Sequence, residues 1–349
     1  MKLWKRIVTP LSALLAVPVL VTPMTAQSGP NAAFSNGAIL QRLSSLQKVK
    51  TVFVIMMENK NWTGNDAGAA FGDPDLKDNP LAPYINGELF HTSAHPQQYF
   101  NPPANHPSQP NYVWLEAGTN FGVVEDTQPG QPQFFTQKHL VRLLQDAGIS
   151  WKVYAEPDFG SPVFDNCPLD FSVLDVEHLA QVYFDDVNDG LNSQSAECIA
   201  HVMPFYNLAT DLADHTQARY NLIIPNVCHD GHEGVGPCST QEPTDNTARG
   251  DEWLRQNVPV ILQSDAYKDD GALFIIWDEA EDSDQFADGP IPMFLLSPLA
   301  KGEGRAPYSN SIHYSHSSTL KTIQEIFRVG PLLGDAANPR TNDLSDLFQ

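Results

Sequence analysis

Apolar residues fall along this chain in short, dense blocks. Thr51-Val-Phe-Val-Ile-Met-Met is an unbroken run rich in β-branched residues and too short for a buried helix, so it predicts a strand covered on both faces. Trp151-Lys-Val-Tyr-Ala, Tyr220-Asn-Leu-Ile-Ile, Gly271-Ala-Leu-Phe-Ile-Ile-Trp and Ile291-Pro-Met-Phe-Leu-Leu predict further strands. Helical spacing occupies the intervals. Gln137 to Gly148 is amphipathic with a glycine stop, and Asp251 to Ser264 predicts a helix disturbed at Pro259. Leu320, Ile323 and Phe327 make one face of a helix that Ser317 or Ser318 would cap. A shorter helix is expected from Ser108 as N-cap, with Pro110 in its first turn and Gly118 ending it. The proline-rich stretch from Pro80 to Pro110 reads as irregular, and so does the segment carrying His313 and His316. Strands alternating with helices predict an α/β domain on a doubly wound, mostly parallel sheet.

Composition supports one large domain. Hydrophobic residues at 42% against 18% charged can build a sizeable core, which excludes global disorder. Lys2, Lys5 and Arg6 precede an apolar segment from Ile7 to Val21, with small residues near Ala26. That is the form of a secretory signal peptide, expected over residues 1–26, followed by a single domain over 27–349. Export implies a secreted or periplasmic protein without stable membrane association after processing. The formal charge of −22 disfavours nucleic acid and anionic membrane surfaces as partners. A phosphorylated substrate would be repelled too, unless a bound cation reversed the local field. Four cysteines in an exported chain suggest two disulfides with three connectivities. We favour Cys167–Cys198 and Cys228–Cys238, each closing a short loop.

The chemistry clusters where strands stop. In open α/β sheets ligands gather beyond the carboxyl ends of the strands. Glu58 and Asn59 follow the first strand, and Asp278 and Glu279 follow another. Two adjacent carboxylates there raise each other's proton affinity unless a cation lies between them. Asp230-x-His232, in the polar loop after the Tyr220 strand, can present a carboxylate and an imidazole to one cation or phosphate. Ser108 at a helix start would sit among unpaired N–H groups at the positive end of the dipole, a setting that favours an attacking oxygen and a bound phosphate.

Ser-x-Pro-Asn-Tyr at Ser108, after a strand ending in Met-Met-Glu-Asn, resembles the bacterial phosphoesterase family of secreted acid phosphatases and phospholipases C. That family belongs to the alkaline phosphatase-like superfamily. The likeness is nearer to the acid phosphatase branch and spans roughly Thr51 to Gly330. Trp277-Asp-Glu, the Pro225-Asn…Asp230-x-His232 stretch and His316-x-Ser-x-Leu-Lys-Thr-Ile resemble other family segments. His201 matches a family Lys-His-Asn-Pro-Phe segment, but its neighbours Ala200 and Val202 do not. The resemblance implies a three-layer α/β/α sandwich and a divalent metal ion, Mg, Ca, Mn or Zn, held by Glu58, Asn59, Asp278 and Glu279. Asp230 would hold a second ion or orient a histidine. Ser108 would attack a small phosphomonoester and form a phosphoserine, while His232, His316, His201 and His106 contact the phosphoryl group or protonate the leaving group. The alternatives are a phospholipase C-type phosphodiesterase and a secreted non-catalytic metal-binding protein. The oligomeric state has no signature in the sequence.

Overall fold

The computed structural model describes residues 45–64, 75–131, 137–232, 236–280, 289–302 and 307–349. The expected signal peptide lies outside them. Eight strands form one sheet: β1 (Thr51–Met57), β2 (Ala94–Phe100), β3 (Trp151–Ala155), β4 (Val202–Pro204), β5 (Tyr220–Ile224), β6 (Gly271–Trp277), β7 (Met293–Leu296) and β8 (Tyr308–Ser315). Their spatial order is β4-β3-β5-β1-β6-β7-β2-β8. Every pairing is parallel except those of β7 with β6 and β2. β1, β5, β6 and β7 are buried throughout, as strands covered on both faces must be, which is why they appear in the sequence as dense apolar runs, interrupted within only by the buried Asn221 of β5.

Helices α1 (Ser108–Ala117), α2 (Leu140–Asp146) and α5 (His316–Phe327) pack together, and all but one residue of α1 is buried. Between α2 and α5 in the chain come α3 (Asn207–Asp214) and α4 (Asn246–Gln263). α4 meets the sheet through Gly250, where an added Cβ would stand 3.4 Å from Met57 Cε and 3.1 Å from Gly231 Cα. Among the described residues no helix is long and apolar enough to cross a membrane.

Several expectations are refined. α4 starts at an Asp245 cap, whose Oδ1 accepts from Ala248 N at 3.0 Å, and it continues through Pro259. α5 is capped at Ser315 rather than Ser317 or Ser318, with Ser318 Oγ accepting the Ser315 N–H at 3.1 Å. β2 and β8 run through the two segments expected to be irregular. Both anticipated disulfides form: Cys167–Cys198 and Cys228–Cys238.

Candidate active site

Register alone places the first carboxylates side by side. Met57 pairs with Trp277, so the residues that follow, Glu58 and Asp278, leave the sheet as neighbours. Asp278 N donates to Met57 O at 2.9 Å, and Glu58 N donates to Asp230 O at 3.0 Å, which draws in the loop after β5. Asn59 then turns the chain with φ 49°, a left-handed conformation that asparagine tolerates better than most residues. Its backbone N–H donates to Asp278 Oδ1 at 2.8 Å, and the Glu279 N–H reaches the same oxygen at 2.6 Å.

α1 supplies the hydroxyl. Ser108 is the first helical residue, and Pro107 occupies the cap position without a side-chain cap bond. The serine therefore does not cap the helix as expected; its Oγ donates to Glu58 Oε2 at 2.7 Å. Residues three and four positions on share that helix face. Asn111 Nδ2 donates to Glu279 Oε2 at 2.7 Å, and the Tyr112 hydroxyl donates to Glu58 Oε1. Asn59 Nδ2 lies 2.8 Å from Glu58 Oε2, 3.5 Å from Ser108 Oγ and 3.2 Å from His232 Nδ1. A donating amide makes that Nδ1 the acceptor and leaves the imidazole proton on Nε2.

The Asp230–His232 loop is fastened from several sides. The His232 N–H bonds Asp230 Oδ1 at 2.8 Å, and the His232 carbonyl accepts from Asn246 Nδ2 at 2.7 Å. Arg249 Nε donates to Cys228 O at 2.9 Å, and the Cys228–Cys238 bridge encloses the loop. On the opposite flank His106 Nδ1 lies 2.9 Å from Glu279 Oε2.

Burial sets the electrostatics. Glu58 and Asp278 are fully buried and Asp230 is 1% exposed. Desolvation pushes Glu58 up to about 8, against the hydrogen bonds from Tyr112 and Ser108. Asp230 and Asp278 rise well above the carboxylate range, first by burial and then by the charge of Glu58. Burial and then Asp278 carry Glu279 to about 8, with His106 pulling it back. Asp230 Oδ2 and Asp278 Oδ2 are buried without a hydrogen-bond partner. Two orphaned carboxylate oxygens among four crowded acids fit a hard divalent cation. Among the described residues, no three His, Cys, Asp or Glu side chains already converge as a chelate. Glu58 instead spends its oxygens on Ser108, Asn59 and Tyr112.

Two expected histidines do not face the cluster: one lies at the other end of the strands and one is turned inward. His201 stacks on Trp151 with ring centroids 4.2 Å apart and bonds Trp151 O through Nδ1 at 2.8 Å. Trp151 opens β3, so His201 sits at the amino end of the strands, away from the carboxylates. His316 is at the site but turned inward. Its Nε2 lies 2.5 Å from Asp278 O, its Nδ1 is 3.1 Å from Tyr99 Oη, and burial lowers it to about 4. With both nitrogens engaged, the neutral ring braces Asp278 and has no face for a phosphoryl group.

Residues absent from the sequence expectation complete the cluster. Asn111 and Tyr112 were signalled by the Ser-x-Pro-Asn-Tyr motif and by their i+3 and i+4 spacing from Ser108. His178 had no such signal: it comes from a single 3₁₀ turn, stacks on Tyr112 at 4.7 Å and places Nε2 3.4 Å from Glu58 Oε1.

Comparison with known proteins gives a consistent likeness. The model of the Phosphoesterase family matches residues 82–330. A probable acid phosphatase of Kluyveromyces lactis is 24% identical over 66% of this chain and 52% of its own length. The chain thus spans about half of that relative. A phosphatidylinositol-3-phosphatase of Mycobacterium tuberculosis is 26% identical over 74% of each chain. Among solved structures, a Vibrio parahaemolyticus protein in the alkaline phosphatase superfamily matches with TM-score 0.50 at 11% identity, covering 86% of this chain and 79% of that one. The likeness to that structure is one of fold.

Proposed function

Because the chain belongs to the Phosphoesterase family, we propose that it is a phosphoric ester hydrolase acting on phosphomonoesters through a phosphoserine at Ser108. The observation that carries this reading is the 2.7 Å hydrogen bond from Ser108 Oγ to Glu58 Oε2 at the positive end of α1. Glu58, Asn59, Asp278 and Glu279 would hold a divalent cation, with Asp230 beside them, and the two unpartnered oxygens support that assignment. Such an ion, when bound, keeps the carboxylates ionised and neutralises phosphoryl oxygens.

The chain's own groups then divide the work. Ser108 Oγ attacks phosphorus in line while its proton passes to Glu58 Oε2, so the Oγ–P bond forms as the ester P–O bond breaks. Asn59 Nδ2, within reach of Ser108 Oγ, steadies the incoming oxygen. His232, with its proton on Nε2, can donate a hydrogen bond to the leaving oxygen, which takes its proton from solvent water. Water then hydrolyses the phosphoserine, releasing inorganic phosphate and restoring the hydroxyl. His106 and Asn111 hold Glu279. The two disulfides favour an oxidising compartment, which agrees with export.

The test is acid quenching during turnover of a ³²P-labelled monoester. Label on the peptide containing Ser108, lost together with turnover in Ser108→Ala, is the expected result. Near-native turnover in Ser108→Ala would sink the proposal. Bis(4-nitrophenyl) phosphate, run alongside the monoester, separates this reading from a phosphodiesterase.

A further inference from the structure

A cavity of about 730 Å³ opens between the ends of β2 and β8 and the first turn of α5. Its size is that of a small-molecule pocket. No residue of the cluster around Ser108 lines it, and β2 and β8 stand three and four places from β1 in the sheet. Whatever fills this cavity therefore lies apart from the phosphoester chemistry.

Three rings meet in its lining. Phe100, which ends β2, and His313 in β8 are stacked with centroids 5.0 Å apart and planes 24° from parallel. Phe100 is half-buried and His313 exposed, so the pair leaves ring surface for a third partner. The Trp114 indole completes the set. Its Nε1 donates to Ser317 Oγ at 2.8 Å, which uses its single donor and fixes the ring. A planar ring packs on such a lining by offset stacking or edge to face.

The charge is equally defined. Among the described residues Arg340 is the one guanidinium in the lining, and it has no ion-pair partner. The segment that carries it is anchored. The Arg340 N–H donates to Asn338 Oδ1 at 3.0 Å, Lys321 Nζ to Thr341 O at 2.8 Å, and Asn342 Nδ2 to His313 O at 3.0 Å. The lining carboxylate, Asp335, already accepts from Asn338 Nδ2 at 3.0 Å and Thr341 Oγ1 at 3.2 Å. One guanidinium balances one negative charge, and a formal charge of −22 over the chain opposes a more highly charged anion. A carboxylate is planar and meets a guanidinium through two parallel hydrogen bonds.

We propose that this cavity is a second ligand site, separate from the phosphoester site, that takes a planar aromatic monocarboxylate. The ring of the ligand lies among Phe100, His313 and Trp114, and its carboxylate meets Arg340. The site stands independently of the phosphomonoesterase reading.

The experiment is a ligand-observed NMR titration of the full chain with 2-naphthoate, 2-naphthamide and cyclohexanecarboxylate. It is run on the wild type, Arg340→Gln and His313→Ala, two changes at exposed side chains that leave the core untouched. The wild type is expected to bind 2-naphthoate with a Kd of about 0.1–1 mM, ordinary for a ligand of that size. The amide, which lacks the charge, should bind about fivefold more weakly, the worth of one partly exposed ion pair. Cyclohexanecarboxylate keeps the charge without the flat ring and should also bind about fivefold more weakly. Arg340→Gln brings the two naphthyl compounds to the same Kd. His313→Ala weakens both by about threefold or more and preserves their ratio. Excess inorganic phosphate, a probe of the site at Ser108, leaves the Kd of 2-naphthoate unchanged. Failure of 2-naphthoate to bind overturns the proposal, and so does a naphthoate-to-naphthamide ratio near one in the wild type or unmoved by Arg340→Gln. Displacement of 2-naphthoate by phosphate overturns it as well, because the carboxylate would then occupy the phosphoryl position. Labelling of Ser108 bears only on the phosphomonoesterase reading, so the two can fail separately.

Discussion

Tyr112 donates its hydroxyl proton to Glu58 Oε1, the carboxylate oxygen that Ser108 leaves unused. One helical turn of α1 thus grips both oxygens of a single buried acid. A hydrogen bond to an ionised carboxylate contributes about 1.5–3 kcal/mol, and this one holds the carboxylate by Oε1 so that Oε2 is set to receive the serine proton. Tyr112→Phe keeps the ring and its stacking on His178, so the fold persists. We expect kcat/KM to fall by about tenfold or more on a chromogenic monoester, with KM nearly constant. An unchanged kcat would show that the tyrosine plays no part in orienting Glu58.

The crowding of Glu58, Asp230, Asp278 and Glu279 has a consequence that a melting curve reads without any turnover. Ionised, Asp278 is a buried charge repelled by Glu58, so in metal-free protein it opposes folding. Asp278→Asn removes that charge, and its Tm in chelator is expected to equal or exceed that of the wild type. Adding a divalent ion at about a hundred times its Kd should raise the wild-type Tm by about 5 °C, from about 2.7 kcal/mol of binding linkage. The variant should gain much less. Equal gains in the two proteins would remove Asp278 from the metal site.

How far the site was legible in the sequence follows from burial. β1, β5, β6 and β7 are covered on both faces, so each leaves a dense apolar block whose polar end stands out. Glu58 and Asp278 could be found by that contrast, and Asp230 by its spacing to His232 together with the family likeness. β8 alternates in exposure, and β2 contains His95, Pro96, Gln97 and Gln98 with a register shift between Pro96 and Gln98. Such strands are defined by their mutual pairing at the sheet edge, and no local pattern announces it. The same limit hid His178, whose contacts are entirely tertiary. It also misplaced His201: three matching letters could not say at which end of β3 the ring would lie.

Away from the site, His139 offers a pH test of the scaffold. Its ring is fully buried against Phe184, with Nδ1 2.8 Å from Glu116 Oε1 and Nε2 3.0 Å from Asp186 Oδ1. Burial alone would lower its pKa, but the bonds to Asp186 and Glu116 outweigh it and raise the group to about 8. A histidine raised in the folded state stabilises fully below the unfolded value near 6.5 and ceases to do so as pH rises through 8. The stabilisation is on the order of 2 kcal/mol. The Tm should therefore decline from pH 6 to pH 9, and the decline should be smaller in His139→Gln. Parallel Tm–pH curves for the two proteins would rule the coupling out.

The two disulfides should separate activity from stability. Cys228–Cys238 encloses Asp230 and His232, whereas Cys167–Cys198 ties the segment before β4 and touches no residue of the cluster. On the chain-entropy account, closing loops with separations of 10 and 31 residues stabilises by about 3 and about 4 kcal/mol respectively. Removing the longer loop should therefore cost at least as much Tm. Activity should follow the opposite order, since only the shorter bridge holds a carboxylate and an imidazole against β1. We expect Cys228→Ser/Cys238→Ser to lose at least tenfold in kcat/KM at a temperature where the protein remains folded. Cys167→Ser/Cys198→Ser should keep its turnover below its own lowered Tm. If both variants lost activity only in proportion to unfolding, the Asp230–His232 loop would need no covalent frame, and Gly231 packed on Gly250 would suffice to hold it.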